Sequence, residues 1–318
     1  MSAALEALLG TLLYEGYALY PYTSSATKNA TPTPFGIVYP PAYAEERRSA
    51  FDHLGLRCVA RGEGGALIEA EVRFLQAAPE GGHRAVERRL AIPARPLGEL
   101  AAAAHSESFV FDGLSGRLHL SARPLAPGIT RVALFLHNTT TCAPGADRAE
   151  ALRHSLLATH PFLTLSGGTF ASPLERDGDL GRAVERCACV NTYPVLATPE
   201  DDVLLGATIA LPDHPRLAPE SGGDLFDATE IEEALVLHLL ALSDEERAQV
   251  GREDPRIRGL LARVAGTTPA DLMRLHGRTV ISDAAVFDPA VFDAAVFDPA
   301  VVNPVGPRPV NPEPREAA

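Results

Sequence analysis

The strongest constraint on the fold is an alternation of apolar and polar side chains that recurs between residues 54 and 138. Ile68, Ala70, Val72 and Phe74 interleave with Glu69, Glu71 and Arg73, and a period of two puts one set on a buried face and the other in water. Comparable runs occupy residues 56–60, 66–77, 85–92, 109–111, 117–123 and 129–137. No helical pattern separates most of them. Parallel neighbours need a long crossover, usually a helix, so an antiparallel sheet or sandwich is expected. Gly62-Glu-Gly-Gly65 and Gly81-Gly82 fall between runs and read as hairpin turns.

The flanks read differently. Leu5, Leu8, Leu9, Leu12 and Leu13 recur at three- and four-residue spacing, which predicts an amphipathic helix over residues 3–13. Residues 14–34 pass from tyrosines to Ser, Thr, Asn and Pro, with few apolar side chains to offset the cost of ordering, and read as a loop. The chain is extended again over residues 35–39, until Pro40-Pro41 ends that run.

After residue 140 the types mix. A helix is expected over residues 146–158, an apolar stretch over 162–170, a polar loop around Asp177-Gly-Asp179 and a strand near 187–196. A further apolar run, 207–211, leads into an irregular proline- and glycine-rich segment, 212–224. Asp227 with Glu230, Ser243 with Glu246, and Thr268 with Pro269 and Asp271 fit helix N-caps, and predict a helical C-terminal part. Beyond Gly277 the sequence repeats Ala-Val-Phe-Asp-Pro with small changes. Pro289, Pro299 and Pro304, which end three of the four units, oppose a helix, and four units are too few to bury a core, so a disordered, extended tail is expected. It is either a tolerated duplication or a multivalent docking segment presenting Phe287, Phe292 and Phe297. The expected fold is therefore α+β in three regions: residues 1–140 with the helix and β-rich part, 141–278 ending in helices and packed on the first, and 279–318 as the tail.

Composition narrows the class of partner. Asp and Glu number 41 against 28 Lys and Arg, a formal charge of −13, which repels phosphate backbones and anionic lipid. Nucleic acid and membranes are not expected partners. The first residues carry no basic region before their apolar stretch, and no window approaches a membrane span, so a cytoplasmic protein is expected. Cys58, Cys142, Cys187 and Cys189 then read as free thiols.

Chemistry-bearing patterns are sparse. Cys187-Ala-Cys189 is the foremost metal candidate, but zinc pairs usually stand two residues apart and need further ligands, which Cys142 with His137 or His160 would have to bring. No metal and no cofactor is expected. The chain has no G-x-S-x-G elbow, phosphate loop or H-E-x-x-H, and Ser166-Gly-Gly168 lacks the lysine of a phosphate loop. His238 sits in a predicted helix, and His214, beside Asp213 and between two prolines, is a candidate loop base.

Several blocks carry a resemblance. Tyr17-Ala-Leu-Tyr20-Pro-Tyr22, Lys28-Asn29 and Phe35-Gly-Ile-Val-Tyr-Pro40 are among them, with Asn191-Thr-Tyr-Pro-Val195, Pro212-Asp-His-Pro215, Gly223-Asp-Leu-Phe-Asp-Ala-Thr-Glu-Ile231 and Leu272-Met-x-x-Leu-His-Gly277. Over roughly residues 5–277 the chain resembles an uncharacterised family encoded in actinobacterial nickel–iron hydrogenase gene clusters. The resemblance implies hydrogenase subunits or maturation proteins as partners, and no reaction. Relatives carry arginines and a tryptophan where this chain has Thr23, Ala30, Pro32 and Thr33, so Lys28 is the basic group left in that loop.

The expectation is an accessory or assembly-associated binding protein with no catalytic activity assigned. Tyr20, Tyr22, Lys28 and Asn29 are its candidate contacts, with Glu220 and Asp224, the two acids before the Asp227 cap, and the tail phenylalanines. The alternative is a small-molecule enzyme with its site between residues 20–28 and 212–227.

Overall fold

A computed structural model describes residues 3–14, 35–77, 85–216 and a few isolated positions between 243 and 268. Contacts divide the chain into Met1–Gly277 and Arg278–Ala318. The second unit, with Phe287, Phe292 and Phe297, lies outside the described residues, as do Gly81-Gly82 and, isolated positions apart, the helices predicted after residue 226.

The first described element is the leucine-striped helix, α1 (Ala3–Tyr14), followed by a short α2 (Pro41–Glu45). Then come β1 (His53–Ala77), β2 (Ala85–Pro96), α3 (Leu97–Ala102), β3 (His105–Phe111), β4 (Leu114–Ala126) and β5 (Ile129–Asn138). Past residue 140 follow α4 (Arg148–Arg153), β6 (Leu157–Phe170), α5 (Gly178–Glu185), β7 (Tyr193–Leu196) and β8 (Val203–Ala207). The eight described strands join one antiparallel sheet in the order β3-β4-β5-β1-β6-β8-β7, with β2 also on β1.

The 25-residue β1 organises the sheet. Its first half pairs with β5 from His53↔His137 to Arg61↔Ile129, and its second half pairs with β2 from Leu67↔Pro96 to Ala77↔Ala85. β6 follows its other edge. The even-numbered side chains Leu54, Leu56, Ile68, Val72 and Phe74 pack with Leu118, Leu120, Val132, Leu134 and Leu136 in the main core. Phe74 lies 6.3 Å from Phe109 and 6.0 Å from Phe111, centroid to centroid, so the β3–β4 hairpin curls back toward the far end of β1.

The opposite face is covered only in part. Leu5, Leu8, Leu9 and Leu12 of α1 pack there on Phe162, Val195, Leu205 and Ala207, and burying a leucine side chain contributes about 2 kcal/mol. Arg73, expected in water, is sealed beneath this helix, where its Nη1 and Nη2 reach Glu6 at 2.6 and 2.8 Å and its Nε bonds Glu71.

Four local expectations are corrected. Gly62–Gly65 is not a hairpin turn, because β1 runs through it as an irregularity that pairs Gly62 with Gly168 and Leu67 with Ser166. The helix expected over 146–158 stops at Arg153, since Leu156 pairs with Val38 in both backbone directions and Leu157 begins β6. Residues 178–185 form α5 rather than a polar loop, presenting Ala183 and Val184 to Val59 and Ala171. Cys187 and Cys189 stand in the link after α5 rather than in a strand, which starts only at Tyr193.

Candidate functional site

The region with the most chemistry is a cavity of about 430 Å³ on the face of the sheet that α1 leaves uncovered. β1 supplies Arg57, Cys58 and Val59, and α5 supplies Val184. Ala171, Pro173 and Leu174 follow β6, Cys187 and Cys189 follow α5, and Thr192, Tyr193 and Pro194 open β7, with Ala210 and Leu211 closing the wall. Most of this lining is aliphatic, and Leu174 and Tyr193 remain 68% and 55% exposed.

The cysteines are held by the backbone of β1. Cys189 Sγ accepts from Arg57 N–H at 3.3 Å and lies 3.4 Å from the Arg57 carbonyl, to which its thiol donates. The link is anchored by paired bonds between Gly55 and Val190, at 3.0 Å and 2.8 Å. Burial pushes the Cys187 thiol up to about 11, with the neighbouring Cys189 adding to the effect, and burial likewise raises Cys189 and, most strongly, Cys58. A cavity that disfavours thiolate keeps these groups protonated at neutral pH, where they pack as small hydrophobes and are poor nucleophiles. Arg57 is the cationic lining residue; its guanidinium donates to the Ala188 carbonyl and sits 4.9 Å from the Phe135 ring centroid.

Sequence reasoning singled out Cys187 and Cys189 but missed Cys58, 129 positions before Cys187, because only the β1 pairing brings that part of the chain to the α5 link. The ligands invoked to complete a metal set do not assemble. Cys142 neighbours Glu150 and Glu46, His137 stacks on His53 and His160 is buried beneath Thr208. Among the described residues no group of three or more His, Cys, Asp or Glu is arranged to hold a metal ion.

His214 takes φ +57° and its Nε2 lies 2.9 Å from Asp201 Oδ1. Asp213 accepts from Ser172 Oγ at 2.6 Å and from the Leu196 N–H at 2.9 Å. These bonds anchor the start of the irregular segment beside the cavity wall. Tyr20, Tyr22, Lys28, Asn29, Glu220 and Asp224 lie outside the described residues. No described helix is long and apolar enough to cross a membrane. Neither family models nor curated proteins show a match to this chain.

Proposed function

We propose that this protein is an accessory, assembly-associated binding partner of a nickel–iron hydrogenase system, acting by docking rather than by turnover. The observation that carries the docking reading is the cavity itself: an aliphatic and thiol-lined concavity with Leu174 and Tyr193 left in solvent at its edge. Apolar side chains around a preformed hollow suit an apolar anchor from a partner, the arrangement that dominates protein interfaces. The thiols favour their neutral form, which suits packing better than acid–base or nucleophilic work. The hydrogenase setting rests on the sequence blocks between residues 17 and 277, and the working compartment would be the cytoplasm. Affinity capture of the tagged full chain with co-expressed hydrogenase subunits and maturation proteins tests this reading. One of them should be retained in stoichiometric amount, and retention of none contradicts it.

One observation favours the second reading, a small-molecule enzyme near the 212–227 segment: the surface pair of His214 and Asp201, with a carboxylate positioned to orient an imidazole. In that reading His214→Ala abolishes turnover. In the docking reading it leaves partner capture intact.

A further inference from the structure

The sheet face beyond the cavity is segregated by charge, against the composition of the chain. In antiparallel strands directly opposed residues share a face, and the registers place Arg117, His137 and His53 in one row across β4, β5 and β1. His119, Phe135 and Gly55 form the next row, and Arg123 stands opposite Arg131 two rows further on. Ring contacts bear this out, with His137 5.5 Å from His53 and 6.3 Å from Phe135. This is the face opposite the main core, and Arg117, Arg123 and His137 are solvent-exposed on it.

Among the described residues the guanidinium groups of Arg117, Arg123 and Arg131 have no hydrogen-bond or ion-pair partner, and the carboxylate that meets this set is Asp52, 2.7 Å from His53 Nδ1. Like charges directly opposed on a sheet are destabilising, and stability alone gives no reason to oppose Arg123 to Arg131. In a chain whose acids outnumber its bases 41 to 28, such a surface has a use when a negative partner supplies the missing carboxylates.

We infer that this face of β4, β5 and β1 docks a carboxylate-rich segment of a partner protein. A protein segment fits better than nucleic acid because the phenyl ring of this face is already occupied and the imidazoles of His53 and His137 stack on each other. Arg57 lies over Phe135, whose edge is pressed against Gly55, where an added Cβ would come within 2.9 Å of the ring. Bases stack on free ring faces, whereas carboxylates need only the forked guanidinium donors. Arg57 apart, the residues of this face lie outside the cavity lining, and the inference does not depend on which partner the cavity takes.

The test is fluorescence anisotropy of a labelled peptide of alternating Glu and Gly, titrated with the full chain at about 50 and about 200 mM salt. Saturable binding that weakens with salt is expected. Replacing Arg117, Arg123 and Arg131 together by Ala should weaken it about tenfold or more. The change Arg153→Ala with Arg182→Ala, at exposed arginines paired elsewhere, should leave it unaltered. Circular dichroism checks the fold of each variant, and single changes at the exposed Arg117 and Arg123, each weakening binding severalfold, carry the test should the triple variant misfold. No saturable binding, equal binding by the folded arginine variants, or tighter binding of a labelled oligothymidylate than of the peptide would overturn the inference.

Discussion

His160 shows how a single buried side chain sets a pH limit. Its ring is fully buried, with Nδ1 2.7 Å from the Ala158 carbonyl and Nε2 3.4 Å from the Thr208 hydroxyl, which suits a neutral imidazole donating at one nitrogen and accepting at the other. Desolvation lowers its pKa from 6.5 to about 4. Because the unfolded chain takes up the proton first, the contribution of neutral His160 is intact above pH 6.5 and is lost as pH falls toward 4, by about 3 kcal/mol in all. Urea denaturation between pH 7 and pH 4 should show that loss in the natural chain and a shallower dependence in His160→Gln; equal dependences would contradict it. Cys187 offers a second check. With its thiol pushed up to about 11 by burial, alkylation near neutral pH should run roughly a hundredfold slower than for a thiol of ordinary pKa. Mass spectrometry after iodoacetamide pulses would measure this, and a rate matching that of the denatured chain would show an open thiol.

At the scale of elements, what was legible depended on whether a neighbour followed the local pattern. The α1 stripe and the Ile68–Phe74 alternation were readable because one face of each meets the core, and Leu9, Ile68, Val72 and Phe74 are fully buried. Gly62–Gly65 misleads because glycine marks both turns and close approaches. Here it is the latter: an ideal Cβ on Gly168 would stand 2.4 Å from the Arg61 carbonyl, so the two glycine runs let β1 and β6 approach where β1 exchanges β5 for β2. Gly168→Ala should therefore cost about 2 kcal/mol by chemical denaturation, and a neutral result would mean that the strands can part. α5 was hidden because its buried surface is only Gly181, Ala183 and Val184, too small a stripe to stand out in a polar run. Of the candidate site, Cys187 and Cys189 were legible, whereas Cys58 and the cavity walls depend on long-range pairing that no local spacing encodes. The remaining candidate contacts, from Tyr20 to Phe297, fall outside the described residues.

For the molecule as a whole, the sheet presents three kinds of surface on the face away from its main core. α1 covers one part with leucines and the Glu6–Arg73 pair, the cavity beside α5 offers an apolar hollow, and the rows of arginine and histidine across β4, β5 and β1 expose Arg117, Arg123 and His137 to solvent. Arg131 and Arg57 lie close enough to influence the Cys187 thiol, so the apolar and basic surfaces adjoin. A protein built to dock by this side needs a hydrophobic anchor site for affinity and a charged margin for orientation, and both are present. The most direct measurement is size-exclusion chromatography with light scattering on the full chain mixed with purified hydrogenase subunits and maturation proteins. A complex with one of them is expected, which Leu174→Asp with Tyr193→Asp abolishes while circular dichroism stays unchanged. Separate elution of the natural chain from every one of these proteins, or a complex that survives the double substitution, would contradict it.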